Sequence, residues 1–170
     1  MVADGLEPEQ LRTYFALMES VSVLHHAVEQ QLQQEGPLSY VQFQLLARLA
    51  DAQGPLTMTE LADGVVYSRS GLTHQAGLLD KAGLVTRGPS PDDQRATLVT
   101  ITDTGLALVA KVLPGHVQVV RELLFTPLSA KDLRALDDTV GRIRDHMRAR
   151  PPRSAAPRKR RSAEPAATEE

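Results

Sequence analysis

The chain has 170 residues, of which 42% are hydrophobic and only 4% aromatic, no cysteine and a net charge of −2. That is enough for one domain with a real core, better suited to packed helices than to a sheet sandwich, and it excludes a disulfide framework and thiol chemistry. No apolar run approaches the roughly 18 residues of a membrane span, and no basic-then-apolar leader opens the chain, so a cytoplasmic protein without membrane contact is expected.

The charge is unevenly placed. Up to Met147 there are 12 basic and 18 acidic residues, and from Arg148 onward 7 basic and 3 acidic, nets of −6 and +4. An acidic body is a poor general binder of phosphate chains, because non-specific affinity comes from phosphate neutralisation. Any nucleic-acid contact must come from a few placed groups, chiefly Arg69, Arg87 and Arg95, helped by helix N-termini.

In chain order, the first predicted element is a long helix from about Pro8 to Glu35, with an apolar stripe of Leu11, Phe15, Met18, Val21, Val28 and Leu32 on which His25 also falls. Gly36-Pro37 ends it. Ser39 caps a second helix carrying Val41, Leu45, Leu46 and Leu49, closed by Gln53-Gly54-Pro55. Thr57 and Glu60 form a capping box for a short third helix with Met58, Leu61 and Val65 inward, and Gly64 marks the turn after it. Ser68 caps a fourth helix that buries Leu72, Gln75 or Ala76, and Leu79. It leaves Arg69, Ser70, Thr73 and His74 outward. Gly77 inside that helix costs up to ~1 kcal/mol of helix propensity, and Gly83 is its expected left-handed stop.

Leu84–Arg87 and Thr97–Ile101 are β-branched and apolar enough for two strands, and Gly88-Pro89-Ser90-Pro91-Asp92-Asp93-Gln94 between them is a turn expected to continue neither. Thr102 caps a long apolar helix running towards Phe125, broken or kinked at Pro114-Gly115. Ser129 and Asp132 form another capping box, opening a last helix striped with Leu133, Leu136, Val140, Ile143 and Met147. Pro151-Pro152 ends it, and residues 151–170, rich in proline, alanine and charge, are expected to be a disordered tail.

Two short helices followed by a two-stranded ribbon with a polar tip make a winged helix-turn-helix, which delivers one helix to the DNA major groove. The expected fold is therefore mainly α with a small β-wing. A core at about residues 39–101 sits within a single domain, 1–150, and helices at about 8–35 and 103–150 supply dimerisation. A first helix of about 28 residues is roughly 40 Å long, too long for one small wing unit to cover. A second copy is the simplest cover, because two-fold dimers are the commonest oligomers. Such a dimer sets two recognition helices about one DNA turn apart and implies a roughly palindromic operator.

The same stretch resembles the MarR family of bacterial transcription regulators. The residues that carry the likeness are Thr59-Glu60-Leu61-Ala62, Ser68-Arg69-Ser70-Gly71-Leu72-Thr73, Leu79-Asp80-Lys81-Ala82-Gly83-Leu84-Val85, Arg87, Ser90-Pro91-Asp92-Asp93-Gln94-Arg95 and Ile101-Thr102-Asp103-Thr104-Gly105. The stretch that holds them covers about a third of the chain. The resemblance implies a homodimeric regulator, expected to be a repressor, that binds double-stranded DNA through its second helix-turn-helix helix and its wing. The expected DNA-binding residues are Ser68, Arg69, Ser70, Thr73, His74, Arg87, Asp93 and Arg95. Arg95 would enter the minor groove, held by Asp93, because narrow grooves concentrate negative potential. His74 stands where the relatives frequently carry arginine.

Regulators of this family usually hold a pocket between the DNA-binding lobe and the dimer helices, often for anionic phenolic compounds. Here Tyr14, His25, Tyr40, Phe43 and Tyr67 supply aromatic faces with polar tips for a small aromatic or anionic effector. A constitutive DNA-binding regulator and a winged protein-interaction module are the alternatives. No cofactor and no metal are expected: adjacent His25 and His26 point about 100° apart on a helix, and neither His116 nor His146 completes a ligand set. No nucleophile-base, phosphate-loop or paired-carboxylate spacing suggests an enzyme. Arg158-Lys159-Arg160-Arg161 is either a flexible arm on flanking phosphates or a solvated end.

Overall fold

Capping side chains set most of the helix starts. In the computed structural model, which describes residues 5–52, 54–62, 65, 69–91 and 96–149, helix α1 spans Pro8–Glu35. Pro8 at its first position needs no N–H partner, and Gln10 accepts from the Glu7 N–H at 2.9 Å. Helix α2, Tyr40–Asp51, opens on the reciprocal Ser39–Gln42 box. The expected Thr57–Glu60 box is formed too, with Glu60 accepting from both the Thr57 N–H and its hydroxyl at 2.7 Å, at the start of α3, Met58–Ala62. Those two bonds hold the Glu60 carboxyl below its usual range.

Helix α4, Arg69–Lys81, ends in a Schellman motif. Leu84 N–H donates to the Leu79 carbonyl and Gly83 N–H to that of Asp80, with Gly83 at φ 71°. Strand β2 is Val85–Pro89 and β3 is Thr97–Ile101. Helix α5, Asp103–Val120, passes into a π-helical turn at Arg121–Phe125, and α6 covers Ala130–Arg148 behind a Ser129–Asp132 box. Packing divides the chain into two compact units, Met1–Pro127 and Leu128–Glu170.

Three expectations need correction. The wing ribbon of β2 and β3 does not stand alone, because Leu56–Thr57 forms a strand β1 that pairs antiparallel with β3, giving the order β1-β3-β2. Gly88 and Pro89 do continue β2, opposite Leu98 and Thr97. Proline is tolerated there because Ser90 and Ala96, the next pair, carry the ladder bond at 2.9 Å. The missing N–H of Pro89 therefore falls on the outward side of an edge strand. Finally, of the break or kink expected at Pro114-Gly115, the break does not occur: α5 runs on through Pro114. Pro114 and Ala110, whose carbonyl loses its partner, are both exposed, so solvent can take the freed group. Gly115 beside it allows a close approach: a Cβ there would collide with the Glu35 carboxylate of α1.

The core of the first unit joins Val28 and Leu32 of α1, Phe43, Leu45, Leu46 and Leu49 of α2, and Leu61, Leu72, Leu79, Val85, Val99, Val109 and Val112. Gln31 crosses from α1 to donate to the Val112 carbonyl at 3.0 Å. The stripe of α1 thus divides: Val28 and Leu32 are buried, while Leu11, Phe15, Met18 and Val21 remain exposed. In α6 every member of the stripe is exposed, from Leu136 at 36% to Met147 at 66%.

Candidate DNA-binding interface

Helix α4 is held by one face and shows the other. Leu72, Ala76 and Leu79 are buried, and Gln75 accepts from the Gln42 side chain of α2 at 3.1 Å. Ser70, Thr73 and His74 lie on the exposed side, as their spacing predicts. Arg69 opens the helix. Ser68, Asp93 and Arg95 lie outside the described residues, as do Gly64, Tyr67 and the tail from Arg150.

Arg87 of β2 reaches α4. A Cβ on Gly77 would sit 3.4 Å from its Nη1, in ordinary van der Waals contact, so the guanidinium lies beside α4. The Arg87 Nε is buried without a hydrogen-bond partner. The Thr102 hydroxyl donates to the Gly83 carbonyl at 2.7 Å and accepts from Gly105 N–H at 3.1 Å, tying the end of α4 to the start of α5. Thr102 N–H also donates to the Leu84 carbonyl at 3.1 Å. These bonds give the Thr-Asp-x-Gly motif a structural cause: it clamps the base of the wing.

The aromatic candidates fall in three separate places. Tyr14 is half exposed on α1, with its ring 5.3 Å from that of Phe15. His25 and Tyr40 meet edge to face at 5.1 Å, and the Tyr40 N–H is held by Glu29 at 3.0 Å. Phe43 is a core residue, 4% exposed, against His116 at 4.5 Å. A pocket of about 120 Å³ lies elsewhere, between α3 and α4, lined by Met58, Thr59, Ala62, Leu72 and Thr73. None of the four described aromatic candidates, Tyr14, His25, Tyr40 and Phe43, lines it. In sequence Met58 reads only as an inward residue of the third helix and Ala62 only as part of the family motif, and nothing local marks either as a neighbour of Thr73.

His116 carries a testable pH effect. Its Nδ1 is buried without a partner, and burial lowers its pKa from the ordinary 6.5. The fold therefore favours the neutral ring. This contribution is complete above 6.5 and declines as pH falls through the lowered value. Urea denaturation at pH 7.5 and at pH 5.5 should show a smaller loss of stability on acidification for His116→Phe than for the wild type. Equal losses would show that the proton is accommodated elsewhere.

Among the described residues no group of three or more histidine, cysteine or carboxylate side chains is placed to hold a metal ion. No helix among them is long and apolar enough to cross a membrane. The MarR family model matches residues 37–96. PecS of Dickeya dadantii, an HTH-type transcriptional regulator, is 30% identical over 112 residues, which is 65% of this chain and 67% of PecS. The chain belongs to the MarR family. NicR of Pseudomonas putida, an HTH-type transcriptional repressor, is also 30% identical, over 66% of this chain and 70% of NicR. Sco3205, a MarR-family regulator from Streptomyces coelicolor solved in complex with DNA, superposes with a TM-score of 0.83 at 28% identity. That match covers 91% of this chain and 97% of Sco3205. As a MarR-family protein the chain is a DNA-binding transcriptional regulator with a winged helix, and not an enzyme.

Proposed function

We propose that this MarR-family chain works as a homodimeric repressor on a roughly palindromic operator and is released by a small aromatic or anionic effector. Helix α4 enters the major groove, where base edges carry sequence information, and the wing residue Arg95, steadied by Asp93, enters the minor groove. Ser68, Arg69 and Arg87 take phosphates, while Ser70, Thr73 and His74 face the bases. The observation that carries this reading is the outward row of Ser70, Thr73 and His74 on a helix whose opposite face is locked into the core. The similar NicR is a transcriptional repressor. The effector reading rests on family resemblance and on the Tyr40–His25 pair, which combines apolar faces with polar tips.

Fluorescence anisotropy on the chain's own upstream DNA tests the reading. Arg95→Ala is expected to weaken binding roughly 5- to 150-fold without unfolding the protein, and His74→Ala to alter base preference rather than affinity for all sequences alike. Millimolar aromatic acids are expected to release the DNA, because an effector must bind the DNA-incompetent state better than the competent one. Unchanged affinity in Arg95→Ala at moderate salt would remove the wing from the interface. No release by any acid would make the protein a constitutive regulator.

A further inference from the structure

The pocket between α3 and α4 has the position and chemistry of a base-reading element. Its floor is apolar, formed by the buried Leu72 and the half-buried Met58 and Ala62, and its rim carries the exposed Thr59 and Thr73. Thr73 belongs both to this rim and to the outward row of α4, so the pocket is continuous with the face proposed to meet DNA. Among the described residues no charged side chain lines it. In the major groove the one apolar protrusion a base pair offers is the C5-methyl group of thymine. At about 120 Å³ the pocket exceeds the ~30 Å³ share of a single water, leaving room for a methyl group and the adjoining ring edge.

We propose that this notch receives a thymine methyl group in each half-site, making Thr73, with Met58 and Ala62, a specificity-determining element. The inference rests on α4 being the reading helix. Burial of one methyl group corresponds to about a three- to fivefold preference for thymine over uracil. Cytosine lacks the methyl and is disfavoured there, whereas 5-methylcytosine restores it.

The test uses a duplex recovered by the full-length protein from a random pool, resynthesised with single thymine-to-deoxyuridine replacements. One thymine per half-site is expected to show a three- to fivefold loss on replacement, and 5-methylcytosine there is expected to bind better than cytosine. Thr73→Ser keeps the hydroxyl and removes the side-chain methyl at an exposed position, so folding is preserved. It should bring the thymine-to-uracil ratio towards one. If every replacement leaves affinity unchanged, or if the ratio persists in Thr73→Ser, the notch is not the reader. A shifted base preference in His74→Ala alongside indifference to uracil would retain α4 as the reading helix and remove the notch alone. Failure to enrich any duplex would remove both.

Discussion

Leu136→Asp is expected to leave the protein monomeric at micromolar concentration and to weaken operator binding by about a hundredfold or more. The apolar stripe of α6 is exposed at Leu133, Leu136, Val140, Ile143 and Met147, and α1 exposes Leu11, Phe15, Met18 and Val21. An exposed apolar stripe of this kind on each helix marks an interaction site, and a second copy of the same helices is the simplest partner. An aspartate in the stripe would then have to be buried without a partner, whereas on the lone chain it would sit in water. The substitution therefore separates assembly from folding. Loss of the dimer also unlinks two half-site contacts, and the effective-concentration gain from such linkage is of order 10²–10⁴. Light scattering reads the mass, anisotropy the affinity and circular dichroism the retained helices. A dimer of unchanged mass would place the interface elsewhere.

Gly105→Ala is expected to cost about 2–3 kcal/mol, in line with other overpacked sites. A Cβ at Gly105 would collide with the Leu84 carbonyl and come within 2.8 Å of Ile101 Cγ1. That carbonyl already accepts from Thr102 N–H, and Gly105 N–H donates to the Thr102 hydroxyl. The clash thus falls on backbone that joins α4, β2 and α5, and no flexible side chain can simply rotate away. Thermal unfolding should show a fall in Tm of roughly 5–10 °C. DNA affinity should fall as well, because the base of the wing must move. An unchanged Tm would show that the strand and helix separate at little cost.

Helix starts were legible because their signals are local. Ser39, Thr57, Thr102 and Ser129 each cap a helix through a side chain three residues from its partner, and Gly83 ends α4 by its own backbone freedom. The exposed row on α4 was legible for a similar reason, since helical spacing alone separates Ser70, Thr73 and His74 from Leu72, Ala76 and Leu79. The features missed depend on distant partners. Strand β1 is only two residues long and exists because β3 lies beside it. Pro89 stays in β2 because of where the ladder bonds fall, and α5 continues through Pro114 because the freed carbonyl faces solvent. The α3–α4 notch joins residues that carry no shared motif, and the seat of Arg87 beside Gly77 appears only once β2 is folded against α4.

The most direct test of a two-fold, α4-reading regulator is selection from a random duplex pool, followed by sedimentation of the complex on the winning sequence. The expected result is an inverted repeat with half-sites about one helical turn apart, bound by two chains per duplex. Enrichment of no sequence, with retention that varies only with salt, or a single chain per duplex, would contradict it.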